Sequence, residues 1–394
     1  MVPEGWTVKR VEDTGKVHAG RQRSPHFIDG KLTPYLRVAN VFDGHIKTSN
    51  VNEMPFTELE YSRYVLRNGD ILLNEGQSIE LVGRAAMYVG EPNNCCFQNT
   101  LIRYQHGSNV EANFALALFQ YCQYNGLFSR IATKTNSIAH LGVSRFAELS
   151  LPFPPLTEQR KIAEILSTWD RAIEVSEALL ATAQTQKRAL MQSLLTGKRR
   201  FPEFEGQPWK EVRLGDVAQI SMGSSPKSSA YNQDGIGLPL IQGNADIKNG
   251  WSAPRSFTSE TTTICKPNDI LLSVRAPVGT IAISGHHACV GRGAAVITPK
   301  AGYSWSWLKH VMIDLNPKWV RVSQGSTFDA VNSKDIKSFK IMAPSSLKEQ
   351  DRIGEAMEVT EWEINSLTDQ ISKLRTEKKA LMQQLLTGKR RVVV

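Results

Sequence analysis

Asp70, Glu75 and Gln77 are the residues of this sequence whose types and spacing come nearest to a magnesium site. Two carboxylates separated by a short apolar run could hold Mg²⁺, which would make the chain a DNA nuclease. In the second half of the chain Asp269 matches Asp70, but Val274 stands in the place of Glu75. A turn aspartate and a loop glutamate are the simpler interpretation, and the nuclease is kept as an alternative hypothesis.

Other catalytic signatures are not found in the sequence. The five cysteines have no CxxC spacing, and the adjacent His286 and His287 cannot form the i, i+4 pair of a helical metal site, so we predict no metal site. Neither a GxxxxGK[ST] motif nor the Pro-Pro-aromatic signature of amino-methyltransferases occurs, so we expect no bound cofactor and no catalytic residue. The start of the chain has no signal-peptide pattern, and no apolar run is long enough for a membrane span, which predicts a cytoplasmic protein without a membrane partner.

The polar loops carry the residue types that contact DNA. The chain has a net charge of +9 and a pI near 9.2, which favours a polyanionic partner. In the major groove Arg reads guanine and Asn or Gln reads adenine, whereas Lys and Ser contact phosphates. For any single residue a solvated turn is the competing interpretation. The candidates for DNA binding are Arg21, Arg23, Arg37, Asn40, Asn74, Gln77, Ser78, Lys134, Asn136, His140, Ser224, Ser225, Lys227, Gln242, Asn244, Arg275, Arg292, Gln324 and Ser326.

The elements that position these loops are indicated by an internal repeat. KRALMQSLLTGKRR at 187–200 and KKALMQQLLTGKRR at 378–391 agree at twelve of fourteen positions, with an offset of 191 residues. LTEQRKIAEIL at 156–166 and LKEQDRIGEAM at 347–357 have the same offset. The chain therefore contains two copies of one long segment.

Each copy predicts a helix of about 40 residues with a heptad seam. Ser346 and Glu349 form a capping-box pattern before the second helix, and Gly197 and Gly388 follow the last seam leucines. Lys187 and Lys378 occupy equivalent seam positions, where a cation either faces solvent or fixes the alignment of the helices. The predicted seam is Ile162, Leu166, Trp169, Ile173, Leu180, Leu190, Leu194, Ile353, Met357, Ile364, Leu367, Ile371, Leu374, Leu381 and Leu385.

The two seams can be satisfied within one chain by antiparallel packing. A coiled coil between separate chains is the alternative, but the two copies share register and length inside one chain. A coiled-coil scaffold with no DNA role is a further alternative for the function.

The two segments that precede the helices are weakly similar to each other. Trp6 matches Trp209, Cys96 matches Cys289, and DILL occurs at 70–73 and again at 269–272. We predict an α+β fold in which two similar globular domains, each a twisted, partly barrelled sheet with helices, are separated by two long antiparallel coiled-coil helices around a pseudo-twofold axis. The predicted segments are 1–155, 156–200, 201–344 and 345–394.

These segments resemble the specificity (S) subunits of type I restriction–modification systems. PPLTEQRKIAEIL and the KRALMQSLLTGKRRF close, with their second copies, are similar to the conserved regions of that family. GSSPKSSAYNQDGIGLPLIQGNADIKNG resembles the opening of a target recognition domain. The resemblance covers essentially the whole chain.

The resemblance implies a non-catalytic subunit that binds double-stranded DNA. Each recognition domain would read one half of a bipartite site, and the helices would hold the halves a fixed distance apart. The helices would also dock two modification subunits, which carry S-adenosylmethionine and methylate adenine. Restriction subunits would add ATP- and Mg²⁺-dependent translocation and cleavage.

If helix length sets the gap between half-sites, inserting four residues near Ser176 should lengthen the spacer. One added turn is roughly 6 Å, and each base pair advances ~3.4 Å, so the spacer should grow by about two base pairs. Methylation mapping of the variant, with the modification subunit present, would measure it. An unchanged spacer at full activity would show that the helices do not set the distance.

Overall fold

The computed structural model describes residues 2–24, 28–135, 137–319 and 330–393. The chain divides into two compact units, one made of Met1–Glu177 with Asp369–Val394 and the other of Ala178–Thr368. We call them unit 1 and unit 2. Each unit contains one globular segment, the first part of one long helix and the last part of the other.

Unit 1 combines short strands with small helices before its long helix. Its sheets are β2-β9-β5-β7, β4-β3-β8, β10-β11-β6 and the pair β1-β12. The strands are β1 Thr7–Arg10, β2 Gly15–Ala19, β3 Lys31–Leu36, β4 Asn52–Phe56, β5 Ile71–Asn74, β6 Gly76–Gln77, β7 Ala85–Met87, β8 Cys96–Phe97, β9 Leu101–His106, β10 Thr133–Thr135, β11 Ile138–His140 and β12 Ser150–Phe153. The helices are α1 Glu58–Tyr64, α2 Ala112–Tyr124, α3 Leu127–Ile131, α4 Val143–Ala147 and α5 Leu156–Leu194, of which α5 continues into unit 2.

Unit 2 repeats this plan with longer sheets. Its sheets are β14-β24-β21-β22-β18-β17, β15-β19-β16-β23-β20 and the pair β13-β25. The strands are β13 Trp209–Arg213, β14 Ala218–Met222, β15 Tyr231–Asn232, β16 Leu238–Ile241, β17 Ile247–Lys248, β18 Trp251–Ser252, β19 Ser256–Thr258, β20 Thr263–Cys265, β21 Ile270–Ser273, β22 Ile281–Ile283, β23 Ala288–Val290, β24 Ala294–Pro299 and β25 Lys340–Pro344. The helices are α6 Leu214–Val217, α7 Trp305–Asp314, α8 Ser333–Ser338 and α9 Leu347–Leu385, of which α9 continues into unit 1.

The repeated DILL segment forms the same central strand in both units. Leu72 in β5 pairs with Arg103 of β9 on one side and with β7 on the other. Leu271 in β21 pairs with Val296 of β24 and with β22 in the same way. Both strands are fully buried, as expected for apolar residues at the centre of a covered sheet. The predicted α+β fold with two similar domains and two long helices is confirmed, and the sheets of the described residues are open rather than closed into barrels.

The long helices α5 and α9 pack antiparallel within each unit. In unit 1 Arg375 Nη2 lies 2.5 Å from Glu177 Oε1, and Lys378 Nζ donates to Asp170. In unit 2 Lys187 Nζ lies 3.5 Å from Glu361 Oε1. Residue numbers rise along one helix as they fall along the other, which defines the antiparallel direction.

All fifteen predicted seam residues are buried or half-buried. The ends of the seam join the globular cores: Leu166 and Leu385 belong to the core of unit 1, and Leu194 and Met357 to that of unit 2. The helices are therefore continuous with the hydrophobic cores rather than attached to their surfaces. Burial along one stripe of each helix is what produces a heptad pattern in the sequence.

The repeated LTGKRR segment ends in an arginine that binds a buried glutamate on the other long helix. In unit 2 Arg200 donates from Nε and Nη2 to both carboxylate oxygens of Glu349, at 2.8 and 2.7 Å. Trp209 Nε1 donates to the same carboxylate at 3.1 Å. Glu349 is fully buried, so these three charge-assisted bonds satisfy a carboxylate that water cannot reach.

Unit 1 contains the same cluster. Arg391 donates from Nε and Nη2 to Glu158 at 2.7 and 2.9 Å, and Trp6 Nε1 donates to Glu158 at 3.1 Å. The hydrogen bond that Arg391 donates to the Glu158 carboxylate raises the pKa of Arg391. We call these two sets, Arg200–Glu349–Trp209 and Arg391–Glu158–Trp6, the arginine clamps.

The predicted capping box of Ser346 and Glu349 is wrong. The carboxylate of Glu349 binds Arg200 and Trp209 instead of the backbone at the helix start. The next residue has an equally specific role, because Gln350 accepts a hydrogen bond from the backbone of Ser304, the N-cap of α7. Gln159 holds the N-cap of α2 in unit 1 in the same way.

Removing one arginine of a clamp should destabilise the protein far more than removing its neighbour. Arg200→Ala leaves the buried Glu349 carboxylate without its ion pair, which should lower the free energy of unfolding by about 3–5 kcal/mol. The control is Arg199→Ala, whose side chain is exposed and should change stability by less than ~0.5 kcal/mol. Urea unfolding followed by circular dichroism would measure both. Equal effects of the two substitutions would contradict the structural role of the clamp.

Candidate nucleic-acid interface

In unit 1 the ends of β3, β5 and β8 and the start of β9 are joined by backbone hydrogen bonds. Gln98 N, directly after β8, donates to Leu36 O at the end of β3 at 2.9 Å. Glu75 N, directly after β5, donates to Thr100 O at 2.9 Å. The loops that leave these strands are therefore fixed against each other at their bases.

Unit 2 has the same arrangement at equivalent positions. Gly291 N donates to Ile241 O at 2.8 Å, and Val274 N donates to Gly293 O at 2.9 Å. These bonds correspond one to one with those of unit 1. We call the residues at these ends the strand-end surface, which comprises 20–23, 37, 75–78 and 98–100 in unit 1 and 223–227, 242, 274–275 and 291–293 in unit 2.

A glycine permits the close approach of backbones in each copy. A Cβ atom on Gly20 would lie 2.2 Å from the carbonyl oxygen of Gln98. A Cβ atom on Gly223 would lie 2.1 Å from the carbonyl oxygen of Gly291. No Cβ atom fits at these distances, so glycine is required at both positions.

Three of the unit 1 candidates for DNA binding meet on one small sheet. Lys134 in β10 pairs with Ala139 of β11, which in turn pairs with Gln77 of β6. His140 lies beside them, with Nδ1 3.1 Å from the Glu75 carboxylate. The exposed or half-buried candidates of unit 1 are Arg23, Arg37, Gln77, Ser78, Lys134 and His140.

Unit 2 brings its candidates to the surface as well. Ser225 Oγ accepts hydrogen bonds from the backbone N and the Nε of Arg292, at 3.3 and 3.2 Å. Arg275 directly follows Val274, and the backbone N of Val274 donates to the carbonyl of Gly293 in the turn between β23 and β24. The exposed or half-buried candidates of unit 2 are Ser224, Ser225, Lys227, Gln242, Asn244, Arg275 and Arg292.

Three candidates are buried, which corrects the expectation that they contact DNA. Arg21 donates from Nε to Glu60 at 2.7 Å and from Nη1 to the backbone of Pro55. Asn40 donates to two loop carbonyls, and Asn74 donates to the carbonyl of Val41. Composition alone suggested these residues, but their side chains hold loops together inside unit 1. Asn136, Gln324 and Ser326 lie outside the described residues.

Asn99 is a further candidate for DNA binding that the loop composition did not single out. It is exposed in the turn between β8 and β9, at the position that Arg292 occupies in the turn between β23 and β24. The match of Cys96 with Cys289 places the two residues at the same position, so the signal was present in the sequence.

The proposed nuclease residues do not share a site. Asp70 precedes β5, and Glu75 follows it, so they lie roughly 16 Å apart along an extended strand. The Asp70 carboxylate accepts hydrogen bonds from Gln105 and from the backbone of Arg67, and Glu75 faces His140. One Mg²⁺ ion cannot bind both carboxylates in this arrangement, which argues against the nuclease hypothesis.

A different group of described residues has metal-like spacing in unit 2, namely His310, Glu358 and Glu361. Lys309 Nζ already donates to Glu361 at 2.7 Å and to Glu358 at 3.0 Å. Burial, together with the charge of Lys309, lowers the pKa of His310 to about 4. The cation between these two carboxylates is therefore the ammonium group of Lys309.

Comparison with known proteins agrees with this architecture. The family model for the type I restriction modification DNA specificity domain matches residues 3–184 and again 206–374. The chain therefore belongs to the specificity subunits of type I restriction–modification systems, and the family supports a role in DNA sequence recognition.

Individual relatives cover nearly the full chain. The putative type I restriction enzyme MjaX specificity subunit of Methanocaldococcus jannaschii is 30% identical over 99% of this chain and 95% of its own length. The HsdS subunit from Thermoanaerobacter tengcongensis is 25% identical with a TM-score of 0.50, over 99% of this chain and 98% of that one. A chain from a type I R-M system studied for complex assembly and conformational transition has a TM-score of 0.65 and 24% identity, over 98% of both chains.

No helix within the described ranges is both long enough and apolar enough to cross a membrane.

If each unit reads one half of a bipartite DNA site, substitutions in the strand-end surface of one unit should change the reading of that half only. We expect Gln77→Ala or Arg37→Ala to relax one half-site, and Gln242→Ala or Arg275→Ala to relax the other. The loss should be about 1–3 kcal/mol for a residue that contacts a base. Methylation mapping of each variant, in complex with the modification subunit, would measure it. If a unit 1 variant relaxed both halves equally, independent reading by the two units would be refuted.

The matched controls are Lys134→Ala and Lys227→Ala. These exposed lysines are predicted to contact phosphates, so their loss should weaken binding to all sequences alike and reduce the dependence of affinity on salt.

Proposed function

We propose that the chain is the non-catalytic DNA-recognition subunit of a type I restriction–modification complex, and that each unit reads one half of a bipartite site. The observation that carries this proposal is the strand-end surface, which has the same backbone in both units but different exposed side chains. A common scaffold with changed surface residues is expected of two modules that recognise different sequences.

The side chains on this surface suit DNA. Arg37 in unit 1 is replaced by Gln242 in unit 2, and Asn99 is replaced by Arg292. These are the residue types that read guanine and adenine edges. Exposed cations in the same units, such as Lys134 and Lys227, would supply the sequence-independent attraction to phosphates. A scaffold without a DNA role gives no reason for base-reading residues at equivalent exposed positions.

The long helices are the proposed docking region for two modification subunits, because the repeat offers two equivalent helix ends. The arginine clamps reduce the set of residues that could contact a modification subunit. Arg200 and Arg391 already bind glutamates of this chain. Lys198 and Arg199, with Lys389 and Arg390 in the second copy, remain exposed at those ends. Restriction subunits would join through the modification subunits.

We assign S-adenosylmethionine, ATP and Mg²⁺ to the partner subunits and place the complex in the cytoplasm. This chain would supply sequence recognition and the assembly platform, and the partners would supply methylation of adenine, translocation and cleavage.

The test is methylation mapping of the chain assembled with its modification subunits on a randomised DNA library. We expect methylated adenines in a bipartite motif of two short specified sequences separated by an unspecified spacer. Native mass measurement of the same complex should give two modification subunits per chain. A single contiguous motif, or methylation without sequence preference, would contradict the proposal.

A second measurement separates this proposal from the nuclease. The purified chain is incubated with DNA and Mg²⁺ beside its Glu75→Ala variant. We expect intact DNA in both samples, because Asp70 and Glu75 lie too far apart to share an ion. Cleavage that disappears in Glu75→Ala would support an enzyme instead.

A further inference from the structure

The turn between β8 and β9 and the turn between β23 and β24 are the same structure with different side chains. Leu101 N donates to Gln98 O at 2.9 Å and closes the first turn, and Ala294 N donates to Gly291 O at 3.2 Å and closes the second. Asn99 and Arg292 are the second residues of these two four-residue turns. They therefore occupy one structural position.

Both turns connect buried strands, and the backbone of each turn is hydrogen-bonded to a neighbouring loop. Asn99 N donates to the carbonyl of Arg21 at 3.0 Å, and Arg292 N donates to Ser225 Oγ at 3.3 Å. The residues on either side of each turn, Phe97 and Leu101 in unit 1, are fully buried. A residue at the tip of such a turn has a fixed backbone and an exposed side chain, which is the arrangement a specific contact requires.

The guanidinium group of Arg292 is oriented as well as exposed. Its Nε donates to Ser225 Oγ at 3.2 Å, which holds one edge of the guanidinium plane. The other edge carries the two Nη groups, which form the fork that matches O6 and N7 of guanine. Asn99 offers the donor and acceptor pair that matches N6 and N7 of adenine.

We propose that this shared turn position determines one base of each half-site, as adenine read by Asn99 in unit 1 and as guanine read by Arg292 in unit 2. The inference rests on the proposed function and deepens it, because it assigns a base to a named residue. Ser225 is a positioning residue for Arg292.

The test is the exchange Asn99→Arg, mapped by methylation in the assembled complex. The second copy shows that this turn accepts arginine, so the variant should fold, and its thermal unfolding would be checked. We expect one adenine of the half-site read by unit 1 to become guanine, with roughly 10-fold or greater preference, and the other half-site to stay unchanged.

The matched control is Asn68→Arg, which adds the same charge at an exposed turn before β5, at the opposite end of that strand from the strand-end surface. It should leave both half-sites as they are. In unit 2, Ser225→Ala should weaken the preference for guanine at one position without changing the other half-site. Arg292→Asn should change the preferred base at that position from guanine to adenine.

The possible results distinguish failure of the base assignment from failure of the proposed DNA-recognition function. A wild-type complex with a bipartite motif, in which Asn99→Arg changes neither half-site, would overturn the inference and leave the function standing. A change in the same base with Asn68→Arg would overturn it as well, because charge alone would then be the cause. A wild-type complex with no sequence preference would overturn the proposed function itself.

Discussion

A buried carboxylate in the first turn of each long helix is the constraint on which the structure depends. An isolated carboxylate cannot be buried without partners, because the loss of hydration costs several kcal/mol. Glu349 and Glu158 each obtain an arginine from just beyond the end of the other long helix. Each also obtains an indole from the start of the globular segment, Trp209 at the first residue of β13 and Trp6 directly before β1. The buried carboxylate thus links the start of one long helix, the end of the other and the start of the globular segment in the same unit.

This constraint explains why the chain repeats the LTGKRR segment. The leucines enter the core, the glycine ends the helix with a positive φ, and the final arginine reaches the glutamate. The middle of the segment, including Lys198 and Arg199 in the first copy, faces solvent. The identity of the two copies follows first from their shared internal geometry, and any role in docking has to use the exposed residues.

The sequence predicted the elements whose signal is local or periodic. The long helices, the two glycines that follow them and the repeated central strand were all indicated by the sequence, because burial on one face leaves a pattern at fixed spacing. The arginine clamp was missed, since nothing local links Glu349 to Arg200, and the S-x-x-E pattern suggested a capping box. Among the DNA candidates, Asn40 and Asn74 were mistaken for surface residues because polarity does not distinguish a solvated side chain from one that holds a loop.

Unit 1 is assembled from both ends of the chain, whereas unit 2 is a single continuous segment. On the ribosome, Glu158 is made 233 residues before its partner Arg391, so its carboxylate lacks this ion pair until Arg391 has emerged. Unit 2 can close as soon as Thr368 is available. Unit 1, whose synthesis begins first, is therefore completed last. A nascent chain that stops before Asp369 contains all the residues of unit 2 but lacks part of unit 1.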